Sequence, residues 1–396
     1  MDGGDPGHTG RSLFNATDNG GGVEWKYSAG YCIAGPPVIA ANGTIYIGDI
    51  SGRLTALHPD GSKKWVEKVD GHITFSPALC EDGTILIGTS YVHSFYDDYG
   101  IYAVAPNGST LWSKEGLELR SEITVGPDGT IYAVINDHSK VENTSDMPYA
   151  GLIALHQNGS EIWRYDGYAQ CGASPALGPS GEVIFSKECG LTVLNANGSL
   201  KWHVEIDVVE EGSYSSHNSE PAVQDGIIYV ANGPRLLAFS MNGTELWRAD
   251  VPTGRVWYPP TILSDGQVIV LSGRDICSFT PNGSFKWRFS VDEELSYSNL
   301  VASGDGNLIL TTGNNIYCLS GQGDVIWHHT VDIIGNDGTL YVISDPWTLQ
   351  PAYLYAIDCA PANWILIVSL VLIIAALTSI GTIGVFLWKR CRGGRE

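Results

Sequence analysis

The sequence predicts an all-β protein: an eight-bladed β-propeller of four-stranded antiparallel blades, closed by the N-terminal strand and followed by one C-terminal transmembrane α-helix. Three observations support this prediction, namely the composition, a repeated turn that ends in tryptophan, and a long uncharged segment near the C-terminus. Glycine contributes 48 of the 396 residues, beside 12 Trp and 19 Tyr. Abundant glycine and aromatic residues are typical of many short strands joined by tight turns.

The charge balance excludes two classes of protein. The chain carries 43 acidic and 22 basic residues, a net charge of −21, and so has no basic surface of the kind that binds nucleic acid. Only 16% of the residues are charged and 43% are hydrophobic, which excludes disorder for most of the chain.

A repeat runs through the chain and is marked by eight tryptophans spaced 39 to 51 residues apart. A glycine stands four residues before every one of them, usually in the form Asn-Gly-Ser/Thr-x-x-Trp. The eight are Trp25, Trp65, Trp112, Trp163, Trp202, Trp247, Trp287 and Trp327. We expect them to pack between blades rather than to form a ligand site.

A second turn, such as Asn42-Gly43 or Asp82-Gly83, follows most of these tryptophans. Asn-Gly and Asp-Gly favour type I′ hairpin turns, in which both central residues have positive φ. Alternating residues between the turns predict four antiparallel strands per unit, here named A to D, with the tryptophan on strand D. Repeated four-stranded units of this length are typical of propeller blades.

Seven complete units precede a partial eighth. Residues 328–358 supply strands up to C, in TLYVISD and YLYAID, but no strand with a tryptophan. The segment around Trp25 is a strand D without strands A to C of its own. We expect it to complete the last blade and close the ring, which leaves no unpaired edge strand.

This pattern resembles the pyrroloquinoline-quinone (PQQ)-like repeat of the quinoprotein alcohol dehydrogenase-like, eight-bladed propeller superfamily. The resemblance covers residues 4–358 and lies in the eight tryptophans, the turns Pro59–Trp65 and Pro106–Trp112, the SPAL segments at Ser76 and Ser174, and the opening Gly4–Ser12. It implies the fold. Enzymes of the superfamily hold their quinone with a disulfide between adjacent cysteines and a calcium site, which this sequence does not match, so we expect no cofactor, no metal and no catalytic residues.

The two rims of the expected propeller differ. The A–B and C–D turns are short, whereas the B–C and D–A connections carry insertions at 91–100, 136–151, 208–220 and 344–353. Binding residues concentrate in variable loops on a rigid scaffold. We expect a partner-binding face from residues in these insertions and at the start of neighbouring inner strands: Tyr91, His93, Tyr96, Asp97, Asp98, His138, Tyr149, Glu210, Glu211, Tyr214, His217, Trp257, Tyr258, Tyr297 and Trp347.

The uncharged segment 364–388 is long enough to cross a bilayer and has a tryptophan at each end. The basic residues after it predict a cytoplasmic tail and an extracytoplasmic propeller on the cell membrane, with the short-turn rim toward the bilayer. No signal peptide pattern is visible at the N-terminus, so we expect that one is missing from this sequence. The expected segments are a leader at 1–22, the propeller at 23–358, a linker at 359–363, the helix at 364–388 and a tail at 389–396.

An extracytoplasmic location permits disulfides and glycans. Cys171 and Cys189 fall on the loop-bearing rim of the fourth unit and are expected to form a disulfide. Cys277 and Cys318 are expected to be buried thiols. Of eight Asn-x-Ser/Thr sequences, six coincide with turns of the repeat, so Asn15 and Asn143 are the better glycosylation candidates.

The sequence therefore favours a non-enzymatic, membrane-anchored propeller that binds an extracellular protein or glycan through its loop-bearing rim. Two alternatives stay open. The first is an envelope assembly scaffold resembling the outer-membrane assembly-factor propeller of Gram-negative bacteria, which has the same repeat but an N-terminal lipid anchor. The second is a PQQ-dependent, dehydrogenase-like redox enzyme.

Overall fold

The computed structural model describes only part of the chain. The described ranges are 25–28, 35–90, 99–137, 149–166, 173–187, 190–206, 218–256, 258–295, 299–312, 315–330, 339–345 and 348–353. The chain divides into two units, Met1–Asp358 and Cys359–Glu396, and every described residue belongs to the first. Within these ranges, no helix has the length and hydropathy needed to cross a membrane. The expected spanning segment 364–388 lies outside them and stays a prediction.

The described strands form eight antiparallel sheets, and the first strand, β1 (Trp25–Ser28), belongs to the last of them. Sheet 1 contains β2 (Val38–Ile39), β3 (Ile45–Gly48), β4 (Arg53–Leu57) and β5 (Lys63–Lys68). Sheet 2 contains β6 (His72–Ile73), β7 (Ala78–Leu79), β8 (Ile85–Ser90), β9 (Gly100–Val104) and β10 (Thr110–Glu115). Sheet 3 contains β11 (Leu117–Leu119), β12 (Thr124–Val125), β13 (Ile131–Asp137), β14 (Tyr149–Leu155) and β15 (Glu161–Asp166).

The remaining sheets follow in chain order. Sheet 4 contains β16 (Ala176–Leu177), β17 (Val183–Lys187), β18 (Gly190–Leu194) and β19 (Leu200–Glu205). Sheet 5 contains β20 (Ala222–Gln224), β21 (Ile227–Asn232), β22 (Arg235–Ser240) and β23 (Glu245–Asp250). Sheet 6 contains β24 (Thr261–Ile262), β25 (Val268–Ser272), β26 (Asp275–Phe279) and β27 (Phe285–Ser290). Sheet 7 contains β28 (Asn299–Ala302), β29 (Leu308–Thr311), β30 (Asn315–Leu319) and β31 (Val325–Thr330), and sheet 8 contains β1, β32 (Thr339–Asp345) and β33 (Thr348–Tyr353).

Sheets 1 to 7 have the predicted strand order A-B-C-D. The all-β class and the four-stranded antiparallel unit are therefore confirmed for the described residues. Sheets 2 and 3 each have a fifth strand that the sequence did not predict, because the D–A segments β6 and β11 pair with the far ends of strands B, β8 and β13. Two residues in one and three in the other suffice for this pairing, too few for an alternating pattern to be recognised.

The strands differ in burial according to their place in the sheet. Strands B and C are almost wholly buried, for example β8 and β9, whose residues are buried without exception. Strand D alternates between exposed and half-buried residues, as β10 does. A strand buried on both faces must lie between two apolar layers, whereas strand D has one face toward solvent.

Apolar clusters join each sheet to the next. One cluster contains Val38 and Tyr46 of sheet 1 together with Ile85 and Val104 of sheet 2. Further clusters join sheets 2 and 3, 3 and 4, 4 and 5, 5 and 6, and 6 and 7 in the same way. Sheets 1 to 7 therefore stack face to face in chain order, as the blades of a propeller do.

The repeat tryptophans contribute to this stacking. Each indole N–H of six consecutive tryptophans donates a hydrogen bond to a carbonyl in the C–D turn of the following sheet, over 2.7–3.1 Å: Trp65 to Pro106, Trp112 to Gln157, Trp163 to Ala196, Trp202 to Met241, Trp247 to Pro281 and Trp287 to Gly321. The rings lie against the turn glycines, so a Cβ built on Gly198 would come within 2.5 Å of the Trp163 ring. The predicted packing of these tryptophans between blades is confirmed at these six positions.

The predicted turn type is wrong for most of the turns. A type I′ turn needs two residues with positive φ, yet Asp225 is the only non-glycine residue with positive φ among the described ones. At a representative C–D turn, Gly108 N donates to Ala105 O and Ala105 N to Ser109 O, both at 2.8 Å, with Gly108 at φ 91°. This is a type I turn followed by a glycine bulge.

The reason is local. Prolines such as Pro59 and Pro106 occupy the first central position of several turns, where the ring fixes φ at a negative value and excludes type I′. Among the described turns, only the two-residue loop of Asp225 and Gly226, which joins β20 to β21, has the two positive φ values that type I′ requires, 52° and 74°.

The N-terminal strand joins the last sheet, but not at the predicted edge. Strand β1 pairs antiparallel with β32, the predicted strand B, from Trp25–Val342 to Ser28–Thr339. It does not pair with β33, which lies on the other side of β32. In the complete sheets strand A occupies this edge of strand B. Here the short segment 331–338, where strand A would come, lies outside the described residues, and β1 pairs in its place.

The packing of tryptophan on glycine can be tested with two matched glycines. Gly198 and Gly306 both have φ 81°, but a Cβ on Gly306 meets nothing within 4 Å. Gly306→Ala should therefore cost only the strain of a positive φ, about 1 kcal/mol. Gly198→Ala should cost about 1–3 kcal/mol more because the new methyl group displaces the Trp163 ring. If denaturant unfolding shows the same loss of unfolding free energy for both variants, the contact between Gly198 and Trp163 does not contribute to stability.

Candidate binding face

Each complete sheet has two chemically different ends. The A–B and C–D turns lie at one end, named here the turn end, and the B–C and D–A connections lie at the other, named the loop end. In sheet 5, for example, β21 and β22 meet at Asn232 and Arg235, where Arg235 also pairs with Asp250 at the end of strand D. The tryptophan contacts join turn end to turn end, so the loop ends of successive sheets also lie side by side.

The predicted insertions leave the frame at the loop ends. Strand β8 ends at Ser90 and β9 begins at Gly100, and β13 ends at Asp137 where β14 begins at Tyr149. Most of the first three insertions lies outside the described residues. So do the predicted face residues Tyr91, His93, Tyr96, Asp97, Asp98, His138, Glu210, Glu211, Tyr214, His217, Trp257, Tyr297 and Trp347. Cys171, Cys189, Asn15 and Asn143 lie outside them as well, and these assignments stay predictions. The expected insertion at 344–353 is wrong for most of its length, because this stretch contains the end of β32 and the whole of β33, which pair with each other.

Two predicted face residues fall within described segments. The backbone of Tyr149 begins β14, opposite Asp137 of β13. Tyr258 is half-buried and packs against the apolar cluster between sheets 6 and 7 that contains Leu263 and Leu271. Tyr258 therefore contributes to the packing between two sheets as well as lying near the loop ends.

A chain of hydrogen bonds links four residues that each lie two positions before a strand A, namely before β7, β12, β16 and β20. The Ser76 hydroxyl donates to Glu122 Oε1 over 2.8 Å, and the Glu122 N–H donates to Ser174 Oγ over 3.1 Å. Ser174 in turn donates from both its N–H and its hydroxyl to Glu220 Oε1, each over 2.9 Å. This serine–glutamate chain joins sheets 2 to 5 at their loop ends, and sequence analysis did not identify it.

Within the serine–glutamate chain, only the two serines lie in a motif that the sequence repeats. Ser76 and Ser174 precede the repeated Pro-Ala-Leu, whereas Glu122 and Glu220 occupy the same position of the repeat in units 3 and 5. Alternation of serine and glutamate at one repeat position becomes meaningful only when neighbouring units are known to be in contact, because the bonded residues are 46 or 52 positions apart.

Sheet 3 carries buried carboxylates where its insertion begins. Glu118 is completely buried and accepts hydrogen bonds from Arg120 over 2.8 Å and from Asn136 over 2.9 Å. Asp137, 2% exposed, pairs with Arg164, which also bonds Glu161. The hydrogen bond that the Arg164 guanidinium donates to Glu161 is the main cause of the raised pKa of Arg164. Both buried carboxylates are therefore paired, and Asp137 is held by Arg164 at the point where the insertion begins.

Carboxylates also accept hydrogen bonds at two other loop ends. Asp49 of sheet 1 is 3% exposed and bonds Arg53 over 2.9 Å. Glu293, between β27 and β28, accepts hydrogen bonds from Thr312 and Asn315 at the loop end of sheet 7. These contacts place hydrogen-bonded acidic groups at the loop ends of sheets 1, 3 and 7.

The described residues include three buried thiols. No three His, Cys, Asp or Glu side chains among them lie close enough together to hold a metal ion. Cys277 and Cys318 are buried free thiols, as predicted, and Cys80 is a third. Burial raises the pKa of Cys80 to about 11 and that of Cys318 to about 12, so these thiols stay protonated and unreactive at neutral pH.

The serine–glutamate chain predicts a graded loss of stability. Glu220→Ala removes the acceptor of two Ser174 donors, and because Ser174 is fully buried the loss should be about 1–3 kcal/mol in the free energy of unfolding. Glu220→Gln keeps an oxygen in the same position and should cost less. Denaturant unfolding of both variants measures the difference, and an unchanged Glu220→Ala variant would contradict the structural role of the chain.

Comparison with known structures agrees with this architecture. BamB from Moraxella catarrhalis is similar with a TM-score of 0.62 and 17% identity, over 78% of this chain and 91% of that one. A europium-containing methanol dehydrogenase is similar with a TM-score of 0.57 and 13% identity, over 82% and 89%. Sqt1 from Saccharomyces cerevisiae is similar with a TM-score of 0.59 and 9% identity, over 77% and 87%. At these identities the likeness concerns the fold alone.

At the level of sequence, no curated protein matches the chain. A family model does: the one described as outer membrane protein assembly factor BamB matches residues 11–177 and 187–339. These residues include the whole of sheets 1 to 7 apart from part of β17, and the predicted PQQ-like repeat is thereby confirmed. The chain belongs to this family of PQQ-like β-propellers.

Proposed function

We propose that the chain is a non-enzymatic propeller that binds a protein partner through the loop ends of its sheets. The observation that carries the proposal is the contrast between the two ends: uniform turns at one, and long insertions on a rigid, hydrogen-bonded frame at the other. Variable loops on such a frame are where binding residues concentrate. Membership of a family described by an assembly factor favours a protein partner over a glycan.

The partner is expected to present a basic surface. The chain has a net charge of −21, and the insertions contribute further acidic residues, among them Asp97, Asp98, Glu210 and Glu211. Opposite charge on the partner would speed association and orient the two surfaces.

The propeller is proposed to have eight blades and to stand on the cell membrane, anchored by 364–388, with residues 1–363 extracytoplasmic and the tail inside. The charge-free length of that segment and the basic residues after it support this orientation. The second candidate is an envelope assembly scaffold, which the family description favours and which uses the same binding face.

Ring closure is proposed to run through β1, which pairs with β32 in the place that strand A takes in the complete sheets. Strand A residues are largely buried there, and Trp25 would be buried in the same way. Trp25→Ala should then lower the free energy of unfolding by about 3 kcal/mol, as should Trp202→Ala, whose contact is observed. If Trp202→Ala destabilises the protein and Trp25→Ala does not, the N-terminal strand does not close the ring.

The binding face can be tested by photo-cross-linking of the full chain in its own membranes. A photoreactive residue at position 91 or 214, in two different insertions, should give the same protein adduct, and raised salt should lower its yield. A photoreactive residue at position 197, in a C–D turn, is the control and should give none. An adduct from position 197 alone would show that the partner binds at the turn ends and would contradict the proposed binding face.

The identity of the adduct separates the candidates. A component of the envelope assembly machinery would favour the scaffold. Dye reduction by the purified chain after addition of PQQ and calcium, with no adduct from either insertion, would favour the redox enzyme instead.

A further inference from the structure

The six asparagines in the turns of sheets 1 to 6 share one hydrogen-bonding state. They are Asn42, Asn107, Asn158, Asn197, Asn242 and Asn282, and all six side chains are exposed. In each, Oδ1 accepts a hydrogen bond from the backbone N–H two residues later, over 2.9–3.4 Å. In the described contacts of these residues, no Nδ2 donates to a protein atom. The amide nitrogen of every one therefore points to solvent without a competing partner.

The turn geometry does not by itself require asparagine. In sheet 1 the C–D turn contains Asp60, whose Oδ1 accepts from the Ser62 N–H over 2.9 Å and from the Ser62 hydroxyl over 2.6 Å. Asn158 accepts from Ser160 over the same two distances, 2.9 and 2.6 Å. Aspartate and asparagine thus form the same turn in this protein.

The turn geometry does not require the hydroxyl residue either. In the A–B turn of sheet 6, Gln267 donates its N–H to Asp265 Oδ1 over 3.1 Å, and the turn closes without serine or threonine at that position. Yet every one of the six asparagines is followed by glycine and then by serine or threonine. Both features of the Asn-x-Ser/Thr sequence therefore exceed what the turns need.

The two kinds of turn also differ in composition. Five of the seven C–D turns carry asparagine at this position, and five of the seven A–B turns carry aspartate. The aspartates are Asp82, Asp128, Asp225, Asp265 and Asp305. In a chain this rich in acidic residues, hairpin geometry does not explain why asparagine predominates in the C–D turns and aspartate in the A–B turns.

We propose that the C–D turn asparagines, Asn107, Asn158, Asn197, Asn242 and Asn282, are N-glycosylation sites, with Asn42 as a sixth at the same ends of the sheets. The glycans would cover the turn ends and leave the loop ends bare. This reverses the expectation that the turns explain these sequences without a glycan. It rests on the proposed extracytoplasmic location, since N-linked glycans are added to exported chains.

The chemistry needs a sugar donor activated as a lipid-linked phosphate or diphosphate. Asparagine Nδ2 bonds to C1 of the sugar, the bond from C1 to the phosphate oxygen breaks, and the lipid phosphate leaves with the electron pair while the amide loses one proton. Nothing is oxidised or reduced. The bonds to Oδ1 remain, so the modified residue can keep its turn.

The test is the mass of glycopeptides from the full chain purified from its own membranes, with protease accessibility in intact cells measured in parallel. We expect saccharide on the C–D turn asparagines. Asn197→Asp, which keeps the turn as Asp60 does, and Ser199→Ala should each remove one glycan. Asp60→Asn completes an Asn-Gly-Ser sequence and should add one.

The outcomes are distinct. Bare turn asparagines in a chain that is accessible from outside would overturn the inference and leave the proposed function standing, as would glycans at Asn15 or Asn143 alone. A chain that is inaccessible from outside and carries no glycan would overturn both the inference and the proposed location.

Discussion

The structure depends on one repeated contact, a tryptophan ring laid against the glycine of the next sheet's C–D turn. The contact combines an apolar face, an indole hydrogen bond to a carbonyl and a close approach that a side chain on the glycine would prevent. Because the donor ring and the acceptor turn belong to successive sheets, the contact sets the order of stacking as well as its stability. It also explains why glycine and tryptophan recur at a fixed spacing of four residues while the rest of the unit varies.

The repeat tryptophans also pack against strand B of their own sheets. The ring centroids of Tyr46 in β3 and Trp65 lie 5.7 Å apart, and those of the pairs Tyr132–Trp163 and Tyr229–Trp247 lie 5.9 Å apart. Burial raises the pKa of all three tyrosines, in keeping with their place between sheets. Each ring thus joins strand B of its own sheet to the turn of the next.

With the turn ends fixed by aromatic contacts, the loop ends are free to differ in length and sequence. The serine–glutamate chain holds them side by side across sheets 2 to 5, and paired carboxylates such as Glu118 and Asp137 fix charge where an insertion begins. A frame of this kind permits change in the insertions at little cost, because their ends are anchored by strands that are buried on both faces. Binding at one end and modification at the other can then coexist on one molecule.

The amino-acid sequence alone predicts the class, the repeat, the strand order within a unit and the packing role of the tryptophans. These follow from alternation and from turn residues, which act over a few positions of the chain. The buried state of Cys277 and Cys318 followed in the same way, from their place in strand C. The turn type can be predicted from the sequence too, since Pro106 excludes positive φ at its own position, whereas Asn-Gly and Asp-Gly taken alone favour type I′.

Which units are in contact, and through which atoms, is seen only once the chain has folded. The hydrogen bond between Ser174 and Glu220 joins residues 46 positions apart. The alternation of serine and glutamate along the repeat can be interpreted only when the sheets are known to be neighbours. The pairing of β1 with β32 rather than β33 joins the two ends of the propeller, and depends on which strand edge the last, short unit leaves open. Local patterns choose strands and turns, whereas edges and partners are set by chain segments far apart in sequence, whose contacts form only when the whole chain has folded.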